Sequence, residues 1–175
     1  YLLGTNNNYK DLFIKMAASW FDKFVETNNP SSRELNDFIL NNLDYEFDKQ
    51  LSHMDKLDFS NKNNIKKFLL DFFEQSMLKK GKKIGSEFQF GYFQRLILLK
   101  AIDTQWVEEV DNLQQLKTIV TNRNLAQHNP VYEYQIEAKK SFNLMIEKIY
   151  QQAVSGIVLS ELDKQPDGSL KVEFA

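Results

Sequence analysis

The chain has 175 residues, with 22 Lys and Arg against 24 Asp and Glu, a formal net charge of −2 and 42% hydrophobic residues. This length predicts one domain or two small ones with an ordinary core, and the near-neutral charge argues against a protein that coats nucleic acid. Because the chain has no Cys, it lacks the residues for a disulfide framework, a thiolate zinc site or a Cys nucleophile. Its two His leave few ligands for a His-rich metal site.

The first part of the chain shows the 3.6-residue apolar period of α-helices. The pattern predicts a first helix over about 9–27, with Trp20 and Phe24 on its core stripe. A second helix is predicted to begin next to Ser31, because Ser31 and Glu34 have the spacing of a capping box. This part of the chain is therefore expected to fold as short packed helices.

The next part of the chain predicts one further helix and allows another. The acidic stretch 44–58 allows a short one, and 65–77 has apolar residues at the spacing of a helix that is buried on one side. The lysines of 79–83 fit the last turn of this helix, with Gly81 as its C-terminal cap. That interpretation is simpler than a site for phosphate or lipid headgroups.

Two long helices are predicted in the second half of the chain. Apolar residues recur every seven positions on the first, over about 86–120, which predicts packing on a partner along a seam. The seam residues are Tyr92, Leu99, Trp106, Leu113 and Val120, with Leu96 and Val110 between them. The second helix is predicted over about 131–162, and the polar stretch 122–130 makes the two an antiparallel hairpin. Residues 170–175 are expected to form a short extended tail.

The chain carries no recognisable catalytic motif. Its six glycines form neither GxxxxGK[ST] nor GxGxxG, so we expect no ATP chemistry within these residues. Glu108 and Glu109 are adjacent and point in different directions on a helix, which favours a solvated or salt-bridged face over an acid and base pair. Asp103 occupies a seam position between Leu99 and Trp106, which predicts a half-buried carboxylate with a structural hydrogen bond or a regulatory contact.

The stretch that joins the two long helices is rich in hydrogen-bond donors. It has no acidic residue from Asn112 to Tyr132, and its donors include Arg123, Gln127 and His128. On two rigid helices it suits contact with a peptide backbone, an anionic surface or another protein, or it is an ordinary polar turn. No second metal ligand lies near His128 in the sequence, so no metal site is predicted there.

The hairpin also carries residues at fixed spacings that match a known family. They include Arg95-x-x-Leu98-Leu99-x-x-Ile102-Asp103-x-x-Trp106-x-Glu108 and Arg123-x-Leu125-Ala126-Gln127-x-Asn129-Pro130. Over about 88–155 this series resembles the C-terminal part of SecA, the ATPase motor of bacterial protein export. The apolar period predicts an all-α fold. The resemblance implies its division: a helical wing domain of short helices over 1–83, with the end of a preceding scaffold helix, a long antiparallel two-helix finger of the helical scaffold over 84–163 and a C-terminal tail over 164–175.

The resemblance also implies contacts for the finger. In that family the finger reaches the cytoplasmic opening of a SecY-type channel, and its tip contacts the translocating preprotein. The positions that match this tip, and so are implied to contact polypeptide and channel, are Arg123, Leu125, Gln127 and His128. Asp103 and Trp106 are expected to dock the finger within the scaffold.

Further expectations concern the longer protein that the resemblance implies. Its nucleotide-binding domains would precede Tyr1 and use ATP and magnesium, whereas no cofactor is expected within these residues. Those domains and a peripheral membrane surface are expected partners, and nucleic acid is not. The implied location is the cytoplasm, in peripheral association with the inner face of the cell membrane.

Departures from the family pattern indicate an accessory, second-copy SecA of a Gram-positive bacterium. Leu125 stands where the family usually has Tyr at the finger tip, and Glu109 stands where it has His. The Cys and His zinc tail of the family is absent from these residues. The alternative is a non-enzymatic helical adaptor or scaffold that uses the same hairpin to bind a partner protein. A P-loop encoded upstream of Tyr1 would favour the motor over the adaptor.

Overall fold

Helices make up most of the described structure. The computed structural model describes residues 9–48, 53–123 and 129–175. Within these residues it has five α-helices, one turn of 3₁₀-helix and one two-stranded sheet. Their bounds are α1 Lys10–Asn28, α2 Ser32–Asn42, the 3₁₀ turn Met54–Lys56, α3 Lys62–Ile84, α4 Glu87–Arg123, α5 Pro130–Leu159, β1 Glu161–Lys164 and β2 Leu170–Glu173. The predicted all-α fold class is confirmed.

Local sequence signals position the first two helices as predicted. The bounds of α1 differ from the predicted 9–27 by a single residue at each end. The capping box of α2 is present: Ser31 Oγ accepts from the Glu34 backbone N–H at 3.4 Å, and Glu34 Oε2 accepts from the Ser31 N–H at 2.8 Å. The hydrogen bonds from Ser31 lower the pKa of the Glu34 carboxyl below its ordinary value.

The end of α3 differs from the prediction. Gly81 does not cap this helix, because the helix continues to Ile84 and Gly85 takes the left-handed conformation, with φ of 77°. Gly81 instead lies against a ring of α4, where a Cβ would stand 3.2 Å from Phe90 Cε1. The glycine therefore serves the close approach of α3 and α4.

The acidic stretch 44–58 contains less helix than predicted. In the part of this stretch that the structure describes, the regular structure is the 3₁₀ turn Met54–Lys56. Phe47 is buried and packs edge-on against the Phe72 ring of α3, with 5.3 Å between the ring centroids. Buried apolar side chains therefore hold this stretch against the helices, and the helix prediction is wrong for its described part.

All five helices contribute to one hydrophobic core, and we call this part of the molecule the base. Its helical core residues are Phe13, Met16, Ala17, Phe21 and Val25 of α1, Leu35 and Ile39 of α2, Ile65, Leu69, Phe73 and Met77 of α3, Phe93, Ile97 and Ala101 of α4, and Met145, Ile149, Ala153, Val154 and Ile157 of α5. Trp20 and Phe24, predicted on the core stripe of α1, are half-buried at its edge, where both rings contact Phe38.

Helices α4 and α5 form the predicted antiparallel hairpin and extend beyond the base. Ala101 is the last core residue of α4, and Met145 is the first core residue of α5. At 1.5 Å per residue, the rest of α4 reaches about 33 Å further. We call residues 102–123 and 129–144 the outer hairpin. Of these residues, the buried ones are Gln105, Glu109 and Val120.

The seam predicted for α4 is wrong. The α4 residues that are buried are Phe93, Gln94, Ile97, Ala101, Gln105, Glu109 and Val120. Val120 is the buried member of the predicted seam, whereas its exposed members are Tyr92, Leu99, Trp106 and Val110. Asp103, predicted to be half-buried, is exposed as well. From Phe93 to Glu109 the helix packs on α5 and the base through residues at intervals of four, so the seam residues in this part of the helix lie mostly on another face.

A small β-hairpin follows α5. The helix ends at Leu159, earlier than the predicted 162, and β1 then pairs antiparallel with β2. Asp167 fixes the turn between them, because its Oδ1 accepts from the Ser169 backbone N–H at 2.8 Å. The predicted extended tail is therefore largely a strand, with a partner strand that the sequence pattern missed.

Candidate functional site

The far end of the outer hairpin carries a residue predicted to contact polypeptide and channel. Arg123 is the last residue of α4, is exposed, and has its Nη1 3.5 Å from Glu137 Oε1 of α5. The other three predicted contact residues, Leu125, Gln127 and His128, lie outside the described residues. The contact role of all four stays a prediction.

Helix-end interactions define the two sides of this end of the hairpin. Asn129 caps α5, with its Oδ1 accepting from the Val131 N–H at 3.1 Å, and Pro130 takes the first helical position. On α4, the Thr121 hydroxyl donates to the Lys117 backbone carbonyl at 2.7 Å. Residues 124–128 therefore connect two helix ends of defined position.

Exposed apolar side chains near this end form a surface that sequence reasoning missed. Tyr132 is 62% exposed, and Ile119, Val131 and Ile136 are exposed as well. Together with the Arg123 guanidinium, they offer apolar area and hydrogen-bond donors, which are the two properties that contact with an extended polypeptide requires. The sequence did contain a signal for this surface, because Tyr132 is an aromatic residue that does not lie on the apolar face predicted to point inward on α5.

A second apolar surface runs along α4. Leu99, Ile102, Trp106 and Val110 are exposed, and intervals of three and four residues place them on one side of the helix. We call these four residues the outer stripe. Trp106 is 53% exposed, and Asp103 lies next to Ile102 at the edge of the stripe. Neither Asp103 nor Trp106 is part of the core of the base, so their docking role stays a prediction.

Where the hairpin meets the base, three charged side chains join α3 to the end of α5, and we call Lys80, Lys83 and Glu161 the clasp. Lys80 is buried, and its Nζ donates to the Ser160 backbone carbonyl and to Glu161 Oε1, both at 2.8 Å. Lys83 Nζ donates to Glu161 Oε2 at 2.8 Å. Sequence reasoning missed the clasp, because it assigned these lysines to the cap of their own helix.

The charges of the clasp shift one another's protonation. Partial burial raises the pKa of the Glu161 carboxyl, but the hydrogen bonds and positive charges of Lys80 and Lys83 together outweigh it, and the pKa lies below its ordinary value. Conversely, the hydrogen bond to Glu161 raises the pKa of Lys83. Glu161 and Lys83 are therefore ionised at neutral pH, and the clasp ties the end of α5 to α3.

Neither a metal site nor a membrane-spanning helix is found in residues 9–48, 53–123 and 129–175. No group of three or more His, Cys, Asp or Glu in these ranges is placed to hold a metal ion. In the same ranges, no helix combines the length and the apolar character that crossing a bilayer demands. The end of the outer hairpin and the outer stripe are exposed apolar surfaces of the described residues, and both are suited to contact with another macromolecule.

Comparison with known proteins finds relatives along nearly the whole chain. A family model described as the SecA Wing and Scaffold domain matches residues 1–161. The protein translocase subunit SecA 2 of Pediococcus pentosaceus is 37% identical over 160 residues, which are 91% of this chain and 20% of that protein. The SecA 2 of Streptococcus agalactiae is 38% identical over 141 residues, 81% of this chain and 17% of that protein. The SecA 2 of Staphylococcus aureus is 31% identical over 163 residues, which are 93% of this chain and 20% of that protein.

These matches confirm the resemblance that the hairpin spacings predicted. The name SecA 2, which these three relatives share, agrees with the predicted accessory form. The family match also covers the helices before the hairpin, where sequence reasoning found similarity in length and helical character alone. The chain spans about a fifth of the length of these curated relatives.

Proposed function

The chain belongs to the SecA family, and we propose that it is the helical wing and two-helix finger of an accessory protein translocase motor. In this proposal, ATP-driven motion of nucleotide-binding domains outside the chain is coupled through the hairpin to movement of a preprotein through a SecY-type channel. One observation carries the proposal: the outer hairpin continues about 33 Å beyond the base, although no more than three of its described residues are buried. A helix pair of this kind suits reaching into a partner better than it suits stabilising its own fold.

The end of the finger is proposed to contact the polypeptide and the channel through Arg123, Leu125, Gln127 and His128. Arg123 supports this role, because its exposed guanidinium presents donors at the end of α4. Leu125 would add apolar contact, and Gln127 and His128 would add donors toward backbone carbonyls. The exposed Tyr132 extends this surface along α5.

The outer stripe is proposed to dock the finger within the rest of the translocase, with Trp106 as its apolar anchor and Asp103 as a charge at its rim. The support is the exposure of four large apolar side chains on one side of α4. The chain spans about a fifth of its relatives' length, so a full-length protein has ample other surface to cover this stripe.

The wider setting follows from the same proposal. ATP and magnesium would serve the nucleotide-binding domains of the full-length protein, and none of the residues described above is assigned to them. The partners would be the preprotein, the SecY-type channel, those domains and a peripheral membrane surface. The full-length protein would work in the cytoplasm at the inner face of the cell membrane.

Deletion of residues 122–129 in the full-length protein tests the finger directly. We expect export of its cargo to fall at least about tenfold, since contact with the moving chain is lost, while basal ATPase activity persists. A finer pair compares Arg123→Ala with Arg33→Ala, because Arg33 is an exposed arginine of α2 in the base. Export should fall for the first and not for the second. Unchanged export with unchanged ATPase activity in the deletion would contradict the finger role and favour the adaptor.

A further inference from the structure

One buried carboxylate lies between the two helices of the hairpin. Glu109 of α4 is 3% exposed, although it forms no ion pair with a basic side chain of the described residues. Its Oε2 accepts a hydrogen bond from Ser141 Oγ of α5 at 2.7 Å. Its Oε1 is buried and, within the parts of the chain that the structure describes, has no hydrogen-bond partner. We call Glu109 and Ser141 the polar layer.

Such a layer is poorly satisfied in the closed hairpin. An ionised carboxylate has two oxygens and about four acceptor positions, of which a single hydroxyl here occupies one. Burial of a charge or of a polar atom without partners costs free energy, because the hydrogen bonds that water would supply are lost and no protein group replaces them. Replacement of such buried polar groups by apolar ones of similar size is often neutral or stabilising. The polar layer therefore makes the closed hairpin less stable than an apolar layer would.

The polar layer lies between a strongly packed and a weakly packed part of the hairpin. On the side of the base, α4 and α5 contribute fully buried apolar residues such as Ile97 and Ile157 to the core. On the far side, within residues 110–123 and 129–140, Val120 is buried. Leu113, Leu116 and Ala138 are half-buried there. The layer thus marks the level at which strong apolar packing gives way to weak packing.

We propose that the polar layer is a hinge at which the outer hairpin separates while the base stays closed. When the helices part, water reaches Glu109 Oε1 and both carboxylate oxygens become hydrated, which offsets part of the contacts that are lost. An apolar pair at the same level would gain no such hydration and would hold the helices together. The separated helix ends then fray, because single helices of this length are marginal in water.

The hinge would let the finger change its width during contact with a moving polypeptide, a consequence that rests on the proposed function. The hinge itself does not depend on that function. It can therefore be tested on this chain without a channel, a cargo or ATP.

Amide hydrogen exchange of Glu109→Leu tests the hinge, with Glu108→Leu as the matched control. Glu108 is the adjacent carboxylate, but it is exposed and lies 3.8 Å from Lys148 Nζ. In Glu109→Leu we expect exchange in 110–123 and 129–140 to slow by about tenfold, because the closed form no longer buries an unsatisfied carboxyl oxygen. In Glu108→Leu the change should stay within about twofold.

Amides of the base report whether the variant folds. Their exchange, for example around Ile97 and Ile157, should match the unsubstituted chain. Should Glu109→Leu misfold, Glu109→Met gives the same test, because it removes both carboxyl oxygens and keeps the length of the side chain, and outer amides should then slow by about threefold. Faster or unchanged outer exchange in a folded Glu109 variant would overturn the hinge. Slower exchange with unchanged export by the full-length variant would support the hinge and contradict its use in export, whereas the contact role of the finger is tested separately by the deletion of 122–129.

Discussion

The base and the outer hairpin are built from the same two long helices, yet they bury their residues very differently. In the base, α4 and α5 supply apolar side chains to a core shared with three further helices. In the outer hairpin, two of the three buried residues are polar, and large apolar side chains such as Trp106 and Tyr132 are exposed. The comparison shows that a continuous helix can be structural along one part and a contact surface along another.

Substitution in the base should have the largest effect on stability. Phe73 of α3 is fully buried, and its ring lies 6.2 Å from the Phe21 ring, edge to face. Phe73→Ala should lower the free energy of unfolding by about 3–5 kcal/mol, because it leaves a cavity in the core. Urea unfolding of the chain, followed by far-ultraviolet circular dichroism, measures this loss. A loss below about 1 kcal/mol would show that the base is not tightly packed.

The next effect concerns the close approach of α4 and α5 inside the base. A Cβ at Gly156 would stand 3.0 Å from Ile97 Cγ2, so Gly156→Ala should cost about 1–2 kcal/mol. Gly91, near the start of α4, has no atom within 4 Å of an added Cβ. Gly91→Ala should therefore raise the free energy of unfolding by up to about 1 kcal/mol, since alanine favours a helix. If both substitutions change the free energy of unfolding in the same direction, the close approach of α4 and α5 at Gly156 does not matter for stability as proposed.

A smaller effect should appear in acid, through the clasp. The folded pKa of Glu161 lies below its ordinary value of 4.5. A carboxyl whose pKa is lowered by folding stabilises the protein above its unfolded pKa, and this contribution is lost as the pH falls through the folded value. Stability should therefore decrease as the pH drops below about 4.5, and Glu161→Gln should lose less over that interval. Equal acid sensitivity in both proteins would show that Glu161 does not contribute.

The smallest effect is expected on the outer stripe. Trp106→Ala should change the free energy of unfolding of this chain by less than about 0.5 kcal/mol, because the indole is largely exposed and outside the core. The same urea unfolding experiment measures it beside Phe73→Ala. A loss of several kcal/mol would mean that Trp106 is structural and would remove the distinction between the two parts of the hairpin.

Features set by local sequence were predictable, and features set by distant contacts were not. The capping box of Ser31 and Glu34 depends on four consecutive residues, and it was predicted correctly. The length of α4 followed from its long apolar pattern. The inward face of that helix did not follow, because Leu99 and Trp106 form the more regular series and yet lie on the exposed side.

The clasp and the polar layer show the same limit at the level of single side chains. Lys80 is buried because a carbonyl and a carboxylate eighty residues further along the chain accept from it. Glu109 is buried at the contact between α4 and α5, where Ser141 donates a hydrogen bond to it across the hairpin. Neither partner can be recognised from spacing along the chain. The family, in contrast, was recognisable from many fixed spacings taken together, and the comparisons confirm it.

Site-specific photo-crosslinking in the full-length protein during export tests the central claim most directly. A photoreactive phenylalanine analogue replaces Tyr132 at the end of the finger or, as the control, Tyr45 after α2, since the two side chains are 62% and 64% exposed. We predict crosslinks to the translocating polypeptide from position 132 and none above background from position 45. Equal crosslinking at both positions, or none at 132 while export proceeds, would contradict the assignment of the outer hairpin as the contact surface.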